Sequence, residues 1–217
     1  MSECSLIRVN AVESRRRRQP ALAPDDRRAA LIAATIPLLH THGPEVSTRQ
    51  IADAAGCAEG TIFGVFDNKT QLVVCSIIKA LDPQPSLDAL AAIDRSADLR
   101  TRLAEAAEIV HARMSEHAQL FHTARRLIFM NEENPEAREK MAASRTVLHN
   151  AVTAVIEPDA DSLRISPARA ARLLLLYCGG DIFGPFGDNE TRFSGADLAS
   201  LLLDGIFLSN HGEPAKC

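Results

Sequence analysis

Ser47-Thr48-Arg49-Gln50-Ile51-Ala52-Asp53-Ala54-Ala55-Gly56, followed by Gly60-Thr61-Ile62-Phe63 and by Phe66-Asp67-Asn68-Lys69, is the stretch that decides the fold. Ser47 with Gln50 is a capping-box pattern, which opens a short helix through Ala55. Gly56 supplies the left-handed residue of a tight turn. A second short helix is predicted from about Ala58 to Val65, and Asp67-Asn68-Lys69 starts another that stops before Pro83. Ile51 and Ala54 are expected to face inward from the first of these helices, with Ile62 and Phe66 anchoring the second. That leaves Glu59, Gly60, Thr61, Phe63 and Gly64 on the outer side. Two short helices across a glycine turn form a helix-turn-helix, which lays its second helix in the DNA major groove.

Outward from this motif the helical period continues. Leu31, Ala34, Leu38 and Leu39 form one stripe, with Asp25 and Asp26 as candidate caps and a bend expected at Pro37. Ser96 is a candidate cap for a helix striped by Leu99, Leu103, Ala106, Val110 and Met114, continuing through Leu120, Phe121, Ala124 and Ile128. Asn134-Pro135 and Ser166-Pro167 each pair a cap with a proline at the first helical position. Ser194 with Asp197 opens the last helix. No sustained period of two appears, so the fold class is all-α. Three units are expected: a basic arm over 1–24, a three-helix DNA-binding domain over 25–72, and a helical domain over 73–217 for effector binding and dimerisation.

The composition excludes several classes. The five cysteines form no CxxC pair and are odd in number, which reads as reduced thiols in a cytoplasmic protein. No apolar run reaches the roughly 18–20 residues of a membrane span. The net charge is −4, yet the acidic excess lies beyond residue 72, and Arg15, Arg16, Arg17 and Arg18 form a basic block ahead of the motif. Such an arm is either a nucleic-acid contact or a solvated tail. His111, His117 and His122 are not spaced for a helical metal pair, and the acidic residues read as solvated helix faces. No metal, no cofactor and no catalytic residue is therefore assigned.

The residues quoted above, with the preceding helix ending in Leu38-Leu39 and Gly43, resemble the signature of the tetracycline-repressor (TetR) family over roughly residues 25–75. The resemblance implies a homodimeric transcriptional regulator, probed by a small molecule in its C-terminal helices and bound to a palindromic double-stranded DNA operator. It implies phosphate contacts from Thr48, Arg49 and Lys69, and base or backbone contacts from Thr61 and Phe63, with exposed backbone at Gly60 and Gly64. The chain departs from the pattern at Ala58, where a capping hydroxyl is usual, at Glu59, where a basic residue is common, and at Phe63, where a tyrosine is usual. Direct base readout is accordingly expected to be thin, with phosphate contacts and the arm supplying more of the affinity.

For the effector pocket, His111, Met114, His117, Phe121, Phe129 and Tyr177 sit on or beside inward stripes. The helices near 167–183 and 194–209 each carry two apolar stripes. A second stripe suggests a second partner, so Leu174, Cys178, Leu198 and Leu202 are expected at a dimer interface built as a four-helix bundle.

Overall fold

The computed structural model describes residues 23–130, 134–184 and 192–206. They form ten α-helices: α1 (Pro24–His42), α2 (Thr48–Ala55), α3 (Gly60–Phe63), α4 (Lys69–Ala80), α5 (Gln84–Ala91), α6 (Leu99–Glu116), α7 (Ala118–Ala124), α8 (Pro135–Ile156), α9 (Pro167–Phe183) and α10 (Gly195–Ile206). Among the described residues no strand occurs. The basic block Arg15–Arg18 lies outside them.

Local chemistry explains most helix ends, and not always as the sequence suggested. Helix α1 starts with Pro24 at its first position, and Asp25 and Asp26 occupy the first turn rather than the cap. Carboxylates there still favour the positive end of the helix dipole. Pro37 lies inside α1 without ending it. The cap of α6 is Asp98, whose carboxylate accepts from the Thr101 N–H; Ser96 instead bonds Asp94. Ser166 caps α9, and Ser194 and Asp197 satisfy each other's backbone N–H groups at the start of α10. Asn134 stands at the cap of α8, but its amide donates to the Leu127 carbonyl.

Helix α5 was not anticipated. Pro83 and Pro85 look like breakers, yet Pro85 falls in the first turn, where a missing N–H forfeits no helical bond. The long stripe from Leu99 to Ile128 is also not one helix. It breaks at His117 and resumes as α7, then passes into a π-helical turn over Arg125–Phe129.

Two buried clusters result. The first gathers Leu31, Leu39, Ile51, Ile62, Phe66, Leu72 and Ile77 with Leu120, Ala124, Ile128 and Met141. The helix-turn-helix thus shares its core with α7 and the start of α8, and α4 runs unbroken across the expected boundary at residue 72. The second cluster joins Leu103, Val110, Val152, Val155, Leu174, Cys178, Leu198 and Leu202. Helix α10 lies so close along α6 that a Cβ on Gly195 would stand 2.2 Å from the Ala104 carbonyl oxygen, so this crossing requires a glycine.

Candidate functional site

The helix-turn-helix is held by short-range bonds. The Ser47 hydroxyl accepts from the Gln50 N–H at 3.2 Å, and the Ser47 N–H donates to the Gln50 side-chain oxygen at 2.8 Å. Gly56 adopts the left-handed conformation (φ 64°, ψ 33°) that an L side chain resists. Ile51 and Ala52 face inward against Ile62 and Phe66. Ala54, expected inside, is exposed; the inward side of α2 is the one shared by Ile51, Ala52 and the half-buried Ala55. Helix α3 is one turn long, shorter than the sequence suggested.

The outer face presents Arg49, Glu59, Gly60, Phe63 and Gly64, all exposed, with Thr48 and Thr61 half-buried. Phe63 is 54% exposed, a large apolar ring open to solvent. Of the three expected phosphate contacts, only Arg49 lacks an ion-pair partner or hydrogen bond among the described residues. The Thr48 hydroxyl donates to the Glu59 carboxylate, tying α2 to α3. The Lys69 ammonium donates to the carbonyls of Pro44 and Val46 at 3.2 and 3.0 Å, fastening α4 to the segment before α2. Two of its three donors are thus engaged within the chain. Arg28, which follows the basic block in the sequence, is likewise engaged within the chain. It stacks on Phe66, 4.3 Å from the ring centre, and donates to the Val65 carbonyl.

The six residues proposed for an effector pocket fall in different neighbourhoods. His111 is fully buried between α6 and α9, its Nε2 3.5 Å from the Asp181 carboxylate and neither ring nitrogen hydrogen-bonded. Met114 is half-buried against the C-terminal cluster. His117 sits at the α6–α7 corner with its ring beside His40 of α1. Phe121 meets Phe183 edge-on, and Phe129 lies under the Arg145 guanidinium. Tyr177 is on the outer side of α9, where it lines a hollow of about 380 Å³ with Leu173, Leu176, Gly180, Asp181 and Phe193.

Residues 31–74 match the family described as bacterial regulatory proteins, tetR family. That segment, a fifth of the chain, is the part that carries the family's signature. Sequence comparison with curated proteins gives no match. Among solved structures it is similar to a regulator described as TetR-family from Mesorhizobium loti, at 15% identity and TM-score 0.63, covering 87% of this chain and 100% of that one. A transcriptional regulator from Pseudomonas aeruginosa is similar at 22% identity and TM-score 0.61, over 85% and 91% of the two chains. The regulator FadR from Bacillus subtilis, in complex with stearoyl-CoA, is similar at 15% identity and TM-score 0.55, over 81% and 95%. At these identities the likeness is one of fold, and it extends far beyond the matched segment. The matched segment contains the helix-turn-helix formed by α2 and α3.

The residues expected at a dimer interface need correction. Leu174, Cys178 and Leu198 are fully buried and Leu202 nearly so, inside the chain's own core. Helix α9 is sandwiched among α6, α8 and α10, so its second stripe serves an intramolecular partner. The large apolar side chains left outside on these helices are Leu176, Tyr177 and, at its end, Phe183 on α9 and Leu201 on α10.

Burial holds His111 and His117 below the ordinary imidazole value of 6.5. Asp181 and Glu108 pull His111 back up, while Arg192 pushes it further down. Around His117, Glu116 raises and Arg113 and His40 lower. A histidine depressed in the folded state binds its proton more readily when unfolded, so stability rises with pH across this interval. It is complete above about 6.5 and falls as the pH drops from there toward the folded values. The urea midpoint is therefore expected to be lower at pH 5.5 than at pH 7.5, with a shallower difference in His111→Gln. Equal midpoints at the two pH values in the parent chain would refute this. Asp94, Asp98, Glu136 and Asp197 are all held low, but as carboxylates they titrate below this window.

Proposed function

We propose that the protein is a cytoplasmic, effector-controlled repressor that binds a palindromic DNA operator as a homodimer. The observation that carries the reading is the capped helix-turn-helix. Its outer face offers Arg49, Phe63 and bare backbone at Gly60 and Gly64 rather than a packed surface. No helix among the described residues is long and apolar enough to cross a membrane, which agrees with this reading. Dimerisation would use the outward residues Leu176, Tyr177 and Leu201. A two-fold dimer sets half-site centres about 34–36 Å apart or a multiple of that spacing. The Arg15–Arg18 arm would add sequence-independent affinity through phosphate contacts.

Effector control draws support from the fold shared with FadR, which was solved with stearoyl-CoA bound. In this chain the effector would enter among α6, α7 and α9, where His111 and Phe121 lie, and the described helices offer a path to DNA. Arg113 of α6 donates to the carbonyls of Leu81 and Asp82 at the end of α4, and α4 begins at the helix-turn-helix.

Selection of bound sites from random DNA tests the reading directly. A symmetric motif is expected. Arg49→Ala should then weaken binding to every sequence alike, and should lower the slope of log affinity against log salt by about one. Selection that returns no sequence, or unaltered affinity in the Arg49 variant together with Lys69→Ala, would overturn the assignment.

A further inference from the structure

We propose that Glu59 is a base-reading residue that commits each operator half-site to a cytosine; the assignment rests on the regulator reading above. Glu59 opens α3, is exposed, and is the only charged side chain between Ala58 and Val65. Its neighbours leave it little competition: Gly60 and Gly64 carry no side chain, Phe63 is apolar, and Thr61 is half-buried. Ile62, the inward residue of the same turn, is packed in the core, which sets the outer side of α3 toward a bound duplex.

Two features separate Glu59 from an ordinary solvated acid. No cation among the described residues pairs with it, so its charge would meet the phosphate field of DNA uncompensated. It is also aimed, because the Thr48 hydroxyl of α2 donates to one carboxylate oxygen and leaves the other available. A carboxylate only accepts hydrogen bonds. On the floor of the major groove the donors are the amino groups of cytosine and adenine, whereas guanine and thymine present acceptors to it. Adenine sets its N7 acceptor beside its amino group, against the carboxylate's second lone pairs. Cytosine has no such neighbour. A fixed carboxylate on this helix thus favours cytosine, tolerates adenine and rejects guanine and thymine.

Site selection and binding are to be run at one salt concentration on the full chain, on Glu59→Gln, Glu59→Ala and Thr48→Val. The parent motif is expected to hold cytosine at one position per half-site, with discrimination of roughly 5- to 150-fold over guanine. Glu59→Gln, which keeps the shape, should move the preference to adenine, since an amide pairs with N6 and N7 together. Glu59→Ala should erase the preference at that position alone and raise affinity for random DNA. Thr48→Val should keep cytosine with weaker discrimination. A motif unchanged in both Glu59 variants overturns the assignment while leaving the regulator reading intact. A parent chain that selects no sequence overturns the regulator reading and this assignment with it. Glu59→Gln is the variant that decides if Glu59→Ala folds poorly.

Discussion

Glutamate at Leu176 together with glutamate at Leu201 is expected to yield a folded monomer, whereas glutamate at Leu174 is expected to unfold the chain. Leu174 is wholly inside the second core, two positions from Leu176, which is 60% exposed. An unpaired carboxylate forced into the Leu174 position loses its hydration without compensation and costs several kcal/mol. That is a large part of the ~5–15 kcal/mol by which domains of this kind are stable. At Leu176 and Leu201 the same charge is harmless to the isolated chain, and acts only where a second copy would cover these side chains. Obligate interfaces bury about 2,000 Å² or more, mostly apolar, so two charges at the centre of one should separate the subunits. Operator affinity should then fall by ~100-fold or more, because the second half-site contact loses its linked, intramolecular character. Sedimentation with circular dichroism checks the first part and binding to the selected site the second. A double variant that stays dimeric would place the interface elsewhere.

The contrast between Leu174 and Leu176 also marks what could be read without a structure. The helix-turn-helix was legible because its determinants are local: a cap and its partner three residues apart, one left-handed glycine, and Asn68 capping α4 by accepting from the Gln71 N–H. Those bonds join residues close in sequence, so their partners can be read without knowing the tertiary packing. Periodicity on α9 showed correctly that this helix has more than one packing partner, whereas the described part of α10 buries only the side carrying Leu198, Ala199, Leu202 and Leu203. Periodicity could not show whether the second side of α9 meets α6 and α8 of the same chain or a second copy, since both neighbours are equally apolar. The stripe through α6 and α7 misled in the same way. Leu103 and Val110 pack in one cluster and Leu120 and Ala124 in the other, and the corner at His117 leaves the spacing of apolar residues unchanged. Side chains expected in one pocket were accordingly scattered on both sides of that corner. Lys69 shows a subtler limit. Its position in the motif was readable, but not that its ammonium would close on two backbone carbonyls in the folded chain.

Arg113 went unnoticed for a related reason: between Val110 and Met114 a single arginine looks like the solvent side of a helix. In the fold it is only 9% exposed. Its guanidinium spans from α6 to the carbonyls of Leu81 and Asp82, which α4 leaves without helical partners at its C-terminal end. Burial lowers the guanidinium's affinity for its proton, opposed by Asp82 and Glu116, yet an arginine remains charged in any such setting. The planar fork suits two adjacent carbonyls, and the negative end of the α4 dipole favours the cation. Arg113→Ala is expected to lower stability by about 2–5 kcal/mol, because two charge-assisted bonds are lost and the carbonyls are left poorly solvated. Arg113→Lys should recover only part of this, since a point charge cannot hold both oxygens with the same geometry. Urea unfolding gives the magnitude, and hydrogen exchange gives the location. Amides in the last turn of α4 and in the Leu81–Pro83 turn should lose protection before those of α9. Unchanged unfolding midpoints, or a lysine variant as stable as the parent chain, would show that the contact between α4 and α6 is carried by Leu81 and its apolar neighbours alone.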